Sequence, residues 1–66
     1  MYEVNANGNR SYKSDSAAKV AGVAVAWSEQ GHEPHAYAIR TGDSGVEIRR
    51  VQVTTRRETA RALKAA

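Results

Sequence analysis

The sequence predicts an α+β fold: a small antiparallel sheet of three to four strands in ββαββα order, with one main helix packed on one face and a short C-terminal helix. Three observations predict it. An Asn7-Gly8 turn joins two short alternating segments. Apolar residues at Ala17, Val20, Ala21, Ala24 and Trp27 recur at helical spacing. Thr55-Arg56-Arg57-Glu58 has the form of a capping box ahead of a last helical segment.

The elements follow in chain order. Residues 2–13 read as a β-hairpin. A two-residue loop at Asn7-Gly8 pairs Val4 with Ser11 and leaves Tyr2 and Tyr12 on opposite faces. A three-residue loop, Ala6-Asn7-Gly8, pairs Val4 with Arg10 and Tyr2 with Tyr12, with Gly8 at a left-handed bulge position. The second register is preferred, because a one-residue slip moves every side chain to the other face.

Residues 15–30 read as the main helix. Ser14 or Asp15 caps its start, Gly31 supplies the left-handed C-cap and Pro34 prevents continuation. The small residues Ala21, Gly22 and Ala24 are expected to let it lie close to the sheet. Gly22 costs about 1 kcal/mol of helix propensity, and close packing is the expected reason for it.

His35 to Arg40 reads as a strand with Tyr37 and Ile39 on the core face. A four-residue loop, Thr41 to Ser44, then places Ile39 opposite Val46 and Tyr37 opposite Ile48. Val51 and Val53 have the other parity, so either a β-bulge at Arg49-Arg50 returns them to the core side or the chain bends into a new strand. The final helix runs to Ala65 with a poor apolar face, Ala60 and Leu63, and is expected to fray unless docked.

Size limits what such a chain can do. Its 66 residues begin with Met and read as a whole small open reading frame forming one domain, 1–66. The candidate core is Tyr2, Val4, Tyr12, Val20, Val23, Trp27, Tyr37, Ile39, Val46, Ile48, Val51, Val53 and Leu63. There is no Phe, and much of the apolar fraction is Ala. Each larger apolar side chain therefore matters, at about 1.5–3 kcal/mol when fully buried. A core this lean predicts modest monomer stability or a homodimer. With no cysteine, disulfides and thiolate metal sites are excluded. No apolar run has the length of a signal peptide or a membrane span, so a cytoplasmic protein without membrane contact is expected.

Signals for chemistry are weak. His32-Glu33-Pro34-His35 lacks helical zinc spacing and a fourth ligand, and reads as a polar turn. Ser44 lies in no strand-turn-helix elbow and reads as a turn residue. Gly42 and Gly45 lack the ending of a phosphate loop. No catalytic residue, metal ligand or cofactor is expected.

The better signal is charge. The chain carries a net +3, with ten basic and seven acidic residues. Arg49, Arg50, Arg56, Arg57, Arg61 and Lys64 lie in the last third, and from Arg49 onward only Glu58 stands against them. Arg57, Arg61 and Lys64 fall at i, i+4 and i+7 on one helical stripe. Such a patch suits phosphates or an acidic protein, and a solvated helix face accounts for it equally well. Tyr2, Tyr12, Arg10 and Arg40 are candidate interface residues. The sheet face away from the helices is expected to carry Glu3, Ala36, Ala38, Arg40, Glu47 and Arg49, a flat mixed surface suited to docking.

Part of the chain resembles a SPOR domain, the small fold that binds septal peptidoglycan. The matching residues are Tyr2-Glu3-Val4, Gln30-Gly31-His32-Glu33-Pro34 after an Ala-rich helix, Val51-Gln52-Val53, Arg57-Glu58 and Ala60-Arg61-Ala62-Leu63. The first strand departs by leading into an Asn-Gly hairpin, and Thr54-Thr55 replace the usual aromatic. No signal or membrane anchor takes the chain to the periplasm. The likeness is read as shared β-α-β-β-α patterning; its functional implication is glycan binding.

The expected function is that of a non-catalytic regulator acting by macromolecular contact. The partner would be a protein or a nucleoprotein complex, and inhibition of a nucleic-acid-handling or defence complex by a phage or mobile-element accessory protein fits by analogy of size alone. The alternatives are a basic DNA- or RNA-binding module and the SPOR-like glycan-binding domain.

Overall fold

The computed structural model describes residues 1–66. The strands are β1 (Tyr2–Ala6), β2 (Arg10–Ser14), β3 (His35–Gly42) and β4 (Gly45–Val51). The helices are α1 (Ala17–Glu29) and α2 (Arg56–Ala65). All four strands pair antiparallel in one sheet, in the order β2-β1-β3-β4. The expected ββαββα fold is the one observed.

The first hairpin keeps the expected face parity but shifts by two residues. Val4 pairs with Tyr12 and Tyr2 with Ser14, so the loop is Asn7-Gly8-Asn9. Gly8 and Asn9 take the positive φ values of 75° and 60°. Asn tolerates that region better than most residues, so the loop centres one residue later than expected. The Asn7 N–H donates to the His32 carbonyl at 3.0 Å, tying this turn to the end of α1.

Helix α1 starts later than the sequence suggests. Ser16 is its N-cap, with Oγ accepting from the Lys19 N–H at 3.2 Å. Ser14 does not cap α1; its Oγ accepts from the Ser16 N–H and holds the approach to the cap. At the other end, His32 N–H donates to the Trp27 carbonyl and Gly31 N–H to that of Ser28, with Gly31 at φ 81°. This is a Schellman closure, the ending expected from Gly31.

The second hairpin also differs in register. Its loop is two residues, Asp43-Ser44, and Ile39 faces Ile48, Thr41 faces Val46 and Tyr37 faces Arg50. The ladder runs unbroken from Gly42–Gly45 to Ala36–Val51, with neither a bulge at Arg49-Arg50 nor a bend into a new strand, the two alternatives expected. Unbroken alternation puts Val51 on the helix side and Val46 and Ile48 on the other.

The larger correction concerns which face of β3 is inside. Ala36 and Ala38 are buried beneath the helices, at 0% and 2% exposure, so they are not on the outer face. Tyr37 and Ile39 stand on the open face and are not core residues. The physical reason is fit. The buried stripe of α1 is Ala17, Val20, Ala21 and Ala24, and it meets Val4, Ala36 and Ala38 with little space between the layers. Arg40, Glu47 and Arg49 share that helix side by alternation, contrary to expectation.

Only nine of the 66 residues are buried, and Leu63, Val4 and Val20 are the large apolar ones among them. Tyr2, Tyr12, Val23, Trp27, Val51 and Val53 are half-buried against this core. Helix α2 is docked. Its N-cap Thr55 accepts from the Glu58 N–H at 3.1 Å, and Leu63 is fully buried. Thr59 is buried too, and its Oγ1 accepts from the Thr54 N–H at 3.0 Å. Every buried side-chain polar atom has a hydrogen-bond partner. Gly22 faces Arg56, not the sheet: a Cβ there would lie 3.4 Å from Arg56 Cδ. No helix is long and apolar enough to cross a membrane.

Candidate functional site

The open sheet face is the most distinctive surface. Lys13, Glu3, Tyr37 and Arg50 lie in register across all four strands. The next row toward the β3–β4 turn is apolar. Met1 extends the ladder, since Ile39 N–H donates to the Met1 carbonyl at 2.8 Å and the Met1 nitrogen to that of Ile39 at 3.2 Å. Alternation from the Tyr2–Ala38 pair then places Met1 beside Ile39 on the open face, and Ile48 faces Ile39 from β4. Val46 follows one row on.

Met1, Ile48 and Val46 are 56%, 63% and 67% exposed. Single exposed apolar side chains are ordinary; a contiguous group in a chain with so lean a core is not. The neighbouring row carries two cations, Lys13 and Arg50, and one aromatic side chain, Tyr37. Glu3 is its one carboxylate, with Oε2 accepting from the Ser11 hydroxyl at 3.4 Å. The face thus has an apolar half and a basic, aromatic half.

The residues expected to form one basic patch are spread over several surfaces. Arg57, Arg61 and Lys64 do share one, lining a shallow depression on α2 floored by Ala60 and Ala65. Arg56 lies elsewhere, against α1 beside Lys19 and Tyr12. Arg50 is on the open sheet face and also borders a depression with Glu33, His35 and Gln52. Arg49, its neighbour in sequence, points to the helix side. Adjacent strand residues face opposite ways, and adjacent helix residues diverge by about 100°. The expected six-residue cluster is therefore divided: Arg57, Arg61 and Lys64 form one stripe, Arg56 and Arg50 lie on other surfaces, and Arg49 is on the side of the sheet that carries the helices.

The other candidate interface residues have structural contacts or edge positions. Arg40 Nη2 donates to the Lys64 carbonyl at 3.2 Å, so it caps the C-terminus of α2. Tyr2 and Tyr12 pack partly against the core. Arg10 is exposed at the start of the edge strand β2. His32 is half-buried and His35 exposed, and no three His, Asp or Glu side chains converge to hold a metal ion.

Sequence reasoning missed Ile39, Val46 and Ile48 as surface residues because it assigned them to the core. The signal was present in the parity of Val51. If β4 runs straight and Val51 is inside, Val46 and Ile48 must be outside. Compared with protein-family models, curated proteins and solved structures, the chain shows no match.

Proposed function

We propose that this protein is a non-catalytic regulator that works by covering a surface of a larger protein assembly. The observation that carries the reading is the contiguous apolar group on the open sheet face, exposed Met1, Ile48 and Val46 around half-buried Ile39, bordered by Lys13, Glu3, Tyr37 and Arg50. An apolar centre with aromatic and arginine neighbours has the composition of a protein-contact surface. The cations at the two ends of that border, Lys13 and Arg50, favour a partner with an apolar patch flanked by acidic side chains.

A nucleic-acid-handling assembly suits the stripe Arg57, Arg61 and Lys64 on α2, which faces away from the core and could touch bound RNA or DNA. Direct nucleic-acid binding by that stripe is the second reading. The two differ in which surface matters. The test is capture of partners from cells of the source, or from its phage, with three forms of the protein. Loss of a captured protein in a Tyr37→Ser/Ile39→Thr variant, with retention in an Arg57→Ala/Arg61→Ala variant, supports the sheet-face reading. The reverse pattern, with nucleic acid in the captured material, replaces it.

A further inference from the structure

The unpaired outer edge of strand β4 carries an inference of its own, independent of the partner proposed above. On β3, the N–H and C=O of Ile39 bond to Met1, on the β1 side. Alternation turns the backbone groups of Ala38, Arg40 and Gly42 toward β4, where their partners are Arg49, Glu47 and Gly45. The N–H and C=O groups of Val46, Ile48 and Arg50 are therefore aimed outward along the free edge. All seven residues of β4 except Val51 are exposed, and the edge is uncovered.

We propose that two copies of this chain pair through β4, antiparallel about a two-fold axis at Ile48. Three features select that arrangement. The outward backbone groups belong to even-numbered residues, so a hydrogen-bonded pairing must match even with even, which Ile48 with Ile48 and Val46 with Arg50 satisfy. The same register sets Glu47 against the partner's Arg49, twice by symmetry, at the closely spaced non-hydrogen-bonded positions. Shifting the axis by one residue sets Arg49 against Arg49 or Glu47 against Glu47. Charges on an edge commonly block indiscriminate pairing; here their order permits one register and penalises its neighbours. The other edge, β2, carries Arg10 and Lys13 with no acid and has no such self-complementarity.

The pairing produces one eight-stranded sheet. The apolar rows of the two copies become continuous through Ile48, Ile39 and Met1 on each side of the axis. Val46 gains the aliphatic stem of the partner's Arg50. The open faces remain accessible. A chain with so few buried large side chains gains from such an assembly by mass action.

The test is the mass of the full chain by sedimentation equilibrium over a wide concentration range, together with a charge-reversal cycle. Wild type is expected to be dimeric with a concentration-dependent dissociation. Glu47→Arg and Arg49→Glu alone each place like charges opposite one another at two positions, and each is expected to weaken the dimer about tenfold or more. The double variant restores opposite pairs and is expected to recover the dimer. Thermal unfolding and circular dichroism establish that each variant is folded. Ile48→Pro supplies a second route, because it removes an outward N–H without breaking a bond to β3. A wild-type monomer at every concentration overturns the proposal. So does a dimer indifferent to the single reversals, or a folded double variant that stays as weak as either single.

Discussion

Val4 and Ala36 sit directly opposite each other on β1 and β3, and both are fully buried beneath the helices. Val46, seven residues before Val53 in the same apolar-rich stretch, is mostly exposed on the other face. The same substitution at the two valines should therefore have different results. Val4→Thr buries a hydroxyl and is expected to cost about 1–3 kcal/mol. Val46→Thr keeps β-branching on an exposed strand and is expected to stay within about 0.5 kcal/mol. Ala36→Leu, which forces bulk between α1 and the sheet, should cost about 1–3 kcal/mol. Urea unfolding midpoints decide it. A reversed order at the valines would mean that the sheet buries its other face.

Helix α2 depends on two buried side chains of different kinds. Leu63 supplies apolar area, and Leu63→Ala is expected to cost about 2–5 kcal/mol. Thr59 supplies the acceptor for the Thr54 N–H. Thr59→Val keeps the shape and removes the acceptor, with an expected cost of about 1–3 kcal/mol. Because the helix is short, either loss should also raise amide exchange along α2 before α1, which hydrogen-exchange measurements would show.

Much of the fold is legible in the sequence because capping and turn chemistry are local. Gly31 ends α1, Thr55 starts α2, and Asn7-Gly8 marks a hairpin, each for reasons contained within a few residues. Register and face are not local. Tyr37 and Ile39 look like core by size, yet the Ala-rich stripe of α1 fits Ala36 and Ala38 and excludes the larger row. The choice between two faces of one strand depends on the partner layer, and a helix stripe of small residues was the available clue. The basic cluster failed for a simpler reason. Arg49 and Arg50 are neighbours on a strand and Arg56 and Arg57 on a helix, so neither pair could point one way. The stripe of Arg57, Arg61 and Lys64 survived because its spacing respects the helical period.

Two residues around the α1 ending occupy the left-handed region, and they should respond differently to substitution. Gly31 is at φ 81° within the Schellman closure, and Glu33 is at φ 51° just before Pro34. Gly31→Ala is expected to destabilise by about 1–2 kcal/mol, the usual cost of a Cβ in that conformation. Open space surrounds a Cβ at Gly31, so the cost is conformational and not a clash. Glu33→Gly relieves the same kind of strain but loosens the unfolded chain, and the two effects offset each other. The expected outcome is a clear loss in melting temperature at residue 31 and little change at residue 33. Equal losses at both would place the cost in something other than backbone conformation.

The dispersal of the cations predicts how the protein meets nucleic acid. Binding to generic duplex DNA should weaken with salt in proportion to the number of phosphates contacted, with a logarithmic slope of about −0.9 per contact. Arg57, Arg61 and Lys64 share one surface, while Arg56 borders α1 and Arg50 stands on the open sheet face. The slope is therefore expected to be no steeper than about −3, and each alanine substitution on the stripe should make it shallower by about 1. Arg50→Ala should leave it unchanged. Fluorescence anisotropy with a labelled duplex across a salt series measures all of this. A slope near about −5 would require cations from several surfaces to contact one duplex together. Nucleic-acid binding would then displace the sheet face as the primary activity.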